Sequence, residues 1–564
     1  MVTSKENLRI AIAQINPIVG DIEFNFNKIH RFILEAREAK ADIVTFPELS
    51  LCGYPPEDLL LKNEFIGRNI SALNKLKKSI NDIIAVVGFV DSKDRKLYNA
   101  AAVIFKKRIA GIYRKILLPN YSVFDEKRYF SAGKDYPIFK ISNIIFGVDI
   151  CEDIWDKKGP LCFQANQGAR IVFNISASPY YMSKAKIRED LLCQQAKKNK
   201  VFIVYTNIVG GQDELVFDGQ SLIIDDKGRI MFRLPAFKEG MMIFDLPVPV
   251  VKTGGKAILI KKDINIPKPQ LKPQISAGNI MPIEEVYLAL VLGLKDYVNK
   301  NGFKKVVIGL SGGVDSSLVA ALAVFALGAD NVTGVFMPSQ FSSLESREDA
   351  YELAKNLSIE IREMPIRSVF DAYLSEFSGI FKDMPQDITE ENLQARIRGN
   401  MLMALSNKFG WLVLTTGNKS EVSCGYCTLY GDMAGGFSVI KDVPKTLVYK
   451  LAEFINTSIK EGAIPARVLI KEPTAELRHN QKDSDSLPEY ELLDKILKKY
   501  VEEDKSMDEI IKSGFKKEVV TKVISLVDKS EYKRRQSAPG IKITPRAFGK
   551  DRRMPITNGF RNSV

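Results

Sequence analysis

The chain reads as a two-domain α/β protein, and three observations carry that reading. Short apolar runs alternate with polar helical patterns in both halves. A glycine loop in the second half joins an apolar run to a helical one. A proline-rich stretch interrupts the rhythm between the halves. The length of 564 residues independently asks for more than one hydrophobic core.

In the first half, residues 8–13, 43–46, 83–89, 144–148, 170–174 and 201–205 read as strands, and 25–39 and 184–200 as helices. Residues 252–276 carry Lys-Thr-Gly-Gly and then Ile266-Pro-Lys-Pro-Gln-Leu-Lys-Pro273. That composition predicts a connector with little to bury, so the expected domains are 1–251 and 277–564. A helix over 282–301 then leads into strands at 306–310, 333–337, 360–364 and 411–415. This second alternation predicts a doubly wound parallel sheet with its ligand at the carboxyl ends of the strands.

Composition narrows the class. With 45% hydrophobic and 26% charged residues, the chain has the balance of a soluble globular protein. No apolar signal core opens it and no window predicts a membrane span, and six irregularly spaced cysteines fit a reducing compartment. A cytoplasmic protein without membrane contact is the expectation. The charge of +13 arises from 81 basic against 68 acidic residues, an excess that a phosphate-bearing substrate explains as well as nucleic acid does. The densest basic stretch, from Lys533 through Arg553, reads equally as a solvated tail or a phosphate clamp. Only two histidines are present, His30 and His479, which argues against a Cys–His dyad.

The glycine loop is Ser311-Gly-Gly-Val-Asp-Ser316, between the run Val306 to Leu310 and a helix start at Ser317. Strand, glycine turn and helix start in that order make an anion site, because backbone N–H groups converge and the helix dipole favours negative charge. No Gly-Lys-Ser/Thr follows, so it is not a Walker A loop. It resembles the pyrophosphate loop of enzymes that split ATP into AMP and pyrophosphate. In such a loop Ser311 and Ser316 donate to phosphate oxygens, Gly312 and Gly313 allow close approach, and Asp315 is placed to hold magnesium.

Three further residues each lie at or just past an apolar run: Glu48, Lys115 and Cys151. Strand ends of one sheet can project side chains into a common site. Without histidine, a carboxylate must take the proton of a nucleophilic thiol, and a nearby ammonium can steady a developing oxyanion. Phe46-Pro-Glu-Leu49, Tyr113-Arg-Lys-Ile-Leu-Leu-Pro-Asn-Tyr121 and Asp149-Ile-Cys-Glu-Asp-Ile-Trp155 resemble the carbon–nitrogen hydrolase (nitrilase) superfamily. The resemblance implies an αββα sandwich, with Glu48 as general base, Cys151 as nucleophile and Lys115 at the tetrahedral intermediate.

The second half resembles the NAD synthetase family through Glu391-Asn-Leu-Gln-Ala-Arg-Ile-Arg398, Thr415-Thr-Gly-Asn-Lys-Ser-Glu421, Gly431-Asp-Met-Ala-Gly-Gly-Phe437, Lys441-Asp-Val-Pro-Lys-Thr446 and Glu531-Tyr-Lys-Arg534. With the first half, the whole chain is similar to the two-domain, glutamine-dependent members. The resemblance implies an ATP-pyrophosphatase fold of the adenine nucleotide alpha hydrolase type. ATP would bind at Gly309, Leu310, Ser311, Gly312, Gly313, Val314, Asp315, Ser316 and Thr416. Deamido-NAD would bind at Asn392, Glu421 and Lys533, glutamine at Tyr121, Ser178 and Lys184, and Mg2+ at Asp315 and Glu421. A homo-oligomer is also implied. Two alternatives stay open: amidation of another adenylated acid, and a pyrophosphate-loop enzyme acting on tRNA. Cys424-Gly-Tyr-Cys427 has zinc-ribbon spacing but lacks a second pair, so a buried turn is expected there.

Overall fold

The computed structural model describes residues 5–250, 256–261, 268–271, 273–479 and 481–560. The chain divides into two compact units, residues 1–212 with 216–280 and residues 281–564 with 213–215.

The first unit is built on two sheets. In spatial order, one runs Gly240–Pro249, Lys5–Gln14, Ile43–Thr45, Ile84–Lys93, Lys96–Phe105 and Arg108–Arg114. The other runs Ile230–Arg233, Leu222–Ile224, Phe202–Asn207, Ile171–Ser176, Ile144–Ile150, Ile138–Ile141 and Ile258–Lys261. Each has a parallel centre: Lys5–Gln14, Ile43–Thr45 and Ile84–Lys93 in the first, Ile144–Ile150, Ile171–Ser176 and Phe202–Asn207 in the second. Alternate residues from both sheets, among them Ile10, Ile12, Val86 and Val103 against Phe146, Val148, Ile150 and Phe173, meet in one buried cluster. Period-two alternation turns the intervening positions outward. There the second sheet packs Val172, Ile203 and Leu222 against Leu192 and Ala196 of the helix Lys184–Asn199. Helices Ile22–Glu38 and Asn63–Ser79 bury the apolar stripes Phe26, Ile29, Ile33 and Phe65, Ala72, Leu76. The result is the αββα sandwich.

The connector over 252–276 is not devoid of structure, because Ile258–Lys261 pairs in parallel with Ile138–Ile141 as an edge strand. The Lys-Thr-Gly-Gly run and part of the proline-rich run lie outside the described residues.

The second unit carries a five-stranded, wholly parallel sheet in the order Glu360–Glu363, Val332–Phe336, Val306–Gly309, Leu412–Thr415, Phe437–Ser438. The chain leaves Val306–Gly309 toward one side of the sheet and later returns to its other side. The carboxyl end of that strand is therefore a topological switch point, where crevices open in doubly wound sheets. Helices Pro282–Lys300, Val314–Leu327, Leu344–Leu357, Ile388–Phe409 and Lys445–Phe454 belong to this unit. A separate helical cluster forms from Leu493, Ile496, Ile510, Val520, Val523 and Val527.

The basic C-terminal stretch is neither a solvated tail nor a continuous phosphate clamp. Arg534, Lys542 and Arg552 are buried. Arg534 pairs with Glu531 at 2.9 Å, Lys542 with Asp551, and Arg552 with Asp528 at 3.6 Å. No helix among the described residues is long and apolar enough to cross a membrane.

Candidate active sites

In the first unit three of the expected residues converge. Glu48 follows Ile43–Thr45 and Lys115 follows Arg108–Arg114, both in the first sheet, whereas Cys151 follows Ile144–Ile150 in the second, so the cluster joins two sheets rather than the strand ends of one as expected. Lys115 Nζ donates to Glu48 Oε1 at 2.7 Å, and both side chains are buried. Asn99 Nδ2 donates to the same oxygen at 2.7 Å, while the Ala177 N–H holds Glu48 Oε2 at 2.8 Å. Cys151 opens a 3-10 turn, Cys151–Ile154, with φ of 45°. That left-handed backbone costs a non-glycine residue about 1–3 kcal/mol and persists only where the surroundings enforce it.

The electrostatics explain why this cluster survives burial. An unpaired ammonium at this depth would cost several kcal/mol. Burial works against the Lys115 charge, but Glu126 and Glu48 overcome that and hold its pKa well above the ordinary value. Burial drives the Cys151 thiol well above its ordinary value, with Glu48 adding to the rise and Lys115 opposing it. Burial and Glu48 together favour the thiol over the thiolate at rest.

Glu126 is a member of this cluster that the sequence did not reveal. Its Oε1 accepts from Lys115 Nζ at 2.8 Å and from Tyr54 OH at 3.0 Å, while Oε2 is buried without a partner among the described residues. Burial raises its pKa to about 7 against the pull of Lys115. The residue sits on a one-turn helix, Glu126–Tyr129, that has no apolar periodicity to betray it.

The three expected glutamine contacts lie around this cluster in different settings. Tyr121 is exposed and its hydroxyl donates to Glu152 at 2.9 Å. The buried Ser178 gives its N–H to Asn207 Oδ1 at 3.0 Å, one residue beyond the Ala177 N–H that holds Glu48. Lys184 begins the helix Lys184–Asn199 and stands over Trp155 and Tyr181 at 4.9 and 4.7 Å. Burial lowers its pKa, as does Arg188, while Cys151 and Glu152 pull the other way.

In the second unit the switch point opens into a cavity of about 410 Å³. Gly309, Leu310, Ser311, Gly313, Val314, Asp315 and Ser316 line it, as do Thr416, Asn392, Glu421 and Lys533. Gly312 does not line it. Its φ is 77°, and a Cβ there would meet the Ser346 carbonyl oxygen at 2.4 Å, so this glycine lets the loop fold back on the helix Leu344–Leu357. Ser311 and Ser316 hydroxyls meet at 3.1 Å, and the helix Val314–Leu327 begins directly behind them. Thr428 Oγ1 donates to Asn392 Oδ1 at 2.7 Å, and Lys533 Nζ to the Gly425 and Cys427 carbonyls at 2.8 Å each.

Asp315 and Glu421 share one cation, Lys445, whose Nζ pairs with Asp315 and lies 3.1 Å from Glu421 Oε1. Asn418 Nδ2 adds a bond to Asp315 Oδ1 at 3.0 Å. Burial lifts Glu421 to about 7, with Lys445 lowering it and Asp315 raising it. Among the described residues no group of three or more His, Cys, Asp or Glu could hold a metal. Asp315 and Glu421 nonetheless fit the chemistry of magnesium, which takes one or two carboxylates and completes its shell with substrate oxygens and water. Cys424 ends the helix Lys419–Cys424, Gly425 turns the chain with φ of 69°, and both cysteines are free.

The two units define a class: an amidase-type α/β sandwich joined in one chain to a doubly wound, nucleotide-loop unit. The comparisons name its members. The carbon-nitrogen hydrolase model matches residues 9–254 and the NAD synthase model residues 286–537. The glutamine-dependent NAD(+) synthetase of Thermotoga maritima is 49% identical over 99% of this chain and 100% of its own length. That of Aquifex aeolicus is 47% identical over 98% and 100%. A glutamine-dependent NAD+ synthetase from Acinetobacter baumannii, solved in complex with adenosine diphosphate, is 42% identical, covers 99% of this chain and 100% of its own, and superposes with a TM-score of 0.77. One from Cytophaga hutchinsonii, 23% identical and covering 98% of each chain, shares the fold with a TM-score of 0.82. The chain belongs to the glutamine-dependent NAD(+) synthetase family.

Proposed function

We propose that this chain converts deamido-NAD to NAD, with ATP as the activating substrate and glutamine as the nitrogen source. One observation carries the reading: a buried Glu48–Lys115–Cys151 cluster and a phosphate-loop cavity lie on a single chain of this family.

In the amidase unit Cys151 attacks the amide carbon of glutamine. Burial favours the thiol over the thiolate, so the reaction calls for a base beside the sulfur. Glu48 takes the thiol proton as the S–C bond forms and returns it to the departing ammonia, leaving a thioester. Glu48 then activates the water that releases glutamate. Lys115 faces the oxyanion, where one donor is worth about 3–4 kcal/mol. Tyr121, Ser178 and Lys184 are assigned to glutamine.

In the second unit the nicotinate carboxylate of deamido-NAD attacks the α-phosphorus of ATP, and pyrophosphate leaves. Ammonia then attacks the acyl-adenylate carbon and AMP departs, giving NAD. A free carboxylate repels nucleophiles and offers no leaving group, which is why adenylation comes first. Free ammonia is mostly protonated at neutral pH, so making it within the same protein avoids that loss.

Residues 309–311 and 313–316 with Thr416 are assigned to ATP, Gly312 shaping the loop from behind, and Asn392, Glu421 and Lys533 are assigned to deamido-NAD. Asp315 and Glu421 would hold Mg2+, which when bound would neutralise charge developing on the phosphates. Lys445 pairs with both carboxylates and fixes their orientation. The family resemblance also suggests a homo-oligomer in the cytoplasm.

The test is label transfer. With ATP, Mg2+, deamido-NAD and amide-15N glutamine, the label is expected in the carboxamide of NAD, with AMP and pyrophosphate as co-products. Cys151→Ala should abolish the transfer while leaving synthesis from ammonium intact. Label in any other product, or loss of both nitrogen sources in that variant, overturns the reading.

A further inference from the structure

We propose that Asp153 is a positioning residue for the amidase reaction, its one carboxylate holding the Cys151 turn and the Lys115 strand end in fixed register. Asp153 is fully buried, two residues past the nucleophile. Its Oδ2 accepts from Tyr113 OH at 2.7 Å and from the Ile150 N–H at 3.2 Å. Its Oδ1 accepts from the Leu117 N–H at 2.8 Å and the Ile116 N–H at 3.2 Å. Ile150 immediately precedes Cys151, while Ile116 and Leu117 immediately follow Lys115.

A plain capping residue would need only the bond to Ile150. The bonds to Ile116 and Leu117 do nothing for the Cys151–Ile154 turn, because they come from 37 and 36 residues away. They tie the other sheet to it. The strained φ at Cys151 demands neighbours that enforce it, and this carboxylate supplies one of them. An ionised carboxylate has about four acceptor sites, and four donors occupy them here. Burial lifts the Asp153 pKa to about 6, while the Leu117 N–H, Tyr113 and Lys115 draw it down. Asp149, buried on the strand before Cys151, is the acidic neighbour. At neutral pH the carboxylate is charged and accepts all four bonds.

Asparagine at this position breaks the pattern in a defined way. Its carbonyl can still accept from Ile116 and Leu117. The Tyr113 hydroxyl can rotate to accept from the new amide. The Ile150 N–H cannot reverse, so it faces a donor and the Cys151 turn is released. Effects on reaction geometry of this kind appear in kcat rather than KM.

The inference rests on Cys151 being the nucleophile, so the experiment carries Cys151→Ala as its control. Glutamate release is measured on the full chain with ATP, Mg2+ and deamido-NAD present, alongside NAD formation from ammonium. Asp153→Asn is expected to lower the glutaminase kcat on the order of 10- to 100-fold with KM within about twofold. Tyr113→Phe leaves three donors, so a smaller fall in kcat at constant KM is expected. Both variants should keep ammonium-dependent synthesis. The proposal is overturned by unchanged kcat in both variants, by a rise in KM alone, or by parallel loss of both activities in both variants. Should Asp153→Asn fail to fold, Tyr113→Phe decides by the same criteria. Glutamate release that survives in Cys151→Ala instead overturns the nucleophile assignment.

Discussion

Glu48 has both oxygens committed before any substrate arrives: Oε1 to Lys115 and Asn99, Oε2 to the Ala177 N–H. The carboxylate is thereby oriented, and proton transfer costs no rotamer search. Glu48→Gln keeps the volume but cannot accept a proton. Glutamate release is expected to fall roughly 10²- to 10⁴-fold, with ammonium-dependent synthesis retained. Normal release in that variant would remove Glu48 as the base. Lys115→Met carries a second expectation, because it leaves Glu48 and Glu126 buried without their shared cation. A loss of about 3–5 kcal/mol is expected in urea unfolding, and a loss below 1 kcal/mol would contradict the pairing. At this scale Glu48, Lys115 and Cys151 stood out because each lies at or just past an apolar run and within a motif that resembles the carbon–nitrogen hydrolases. Glu126, Asn99 and Lys445 did not. Glu126 rides a single helical turn, Asn99 lies inside a strand, and Lys445, although it stands in the Lys441–Thr446 motif, carries no local sign of the carboxylates it pairs with. Their partners are set by tertiary folding, which no local pattern records.

Between residue and molecule stands the glycine loop, and its two glycines do different work. Gly313 lines the cavity, whereas Gly312 lies against the Ser346 backbone with φ of 77°. Gly312→Ala therefore meets both backbone strain and a collision that cannot relax through a side chain. Strain of about 1–3 kcal/mol shifts the loop away from its phosphate-binding form. The expected outcome is NAD synthesis about 10- to 100-fold lower at limiting ATP from either nitrogen source. Equal ATP dependence in variant and parent would show that the loop tolerates the change. Sequence pattern announced this loop because strand, glycines and helix are contiguous. It missed the edge strand Ile258–Lys261 for the opposite reason. A strand of three apolar residues and a lysine, set among glycines and prolines, looks like connector until a partner strand, Ile138–Ile141, is found over a hundred residues earlier. The helical cluster around Leu493 and Val523 escaped in the same way, since its stripes acquire meaning only when packed together.

Charge is the property that composition describes least well at the scale of the whole molecule. The basic C-terminal stretch read equally as a solvated tail or a phosphate clamp, yet Arg534, Lys542 and Arg552 pair with internal carboxylates. The acids tell a complementary story. Burial raises Glu126 and Glu421 to about 7, and Asp153 and Asp432 to about 6. A carboxyl whose folded value exceeds its unfolded one holds more protons in the folded state between the two values. Stability conferred by these groups is therefore complete below the ordinary carboxylate range and is lost as pH rises through about 6 to 7. Asp225 and Asp245 are shifted the other way, with Asp245 held down by Arg9, so their stabilisation fails only in stronger acid. The protein should accordingly resist urea better at pH 5.5 than at pH 8. Glu126→Gln should reduce that difference on the order of 1–3 kcal/mol, because the amide neither ionises nor repels Glu48. Urea titrations of parent and variant at both pH values decide the matter. An unchanged difference would mean that Glu126 holds no extra proton in the folded chain, and Lys115 would then be neutralising two full negative charges at once.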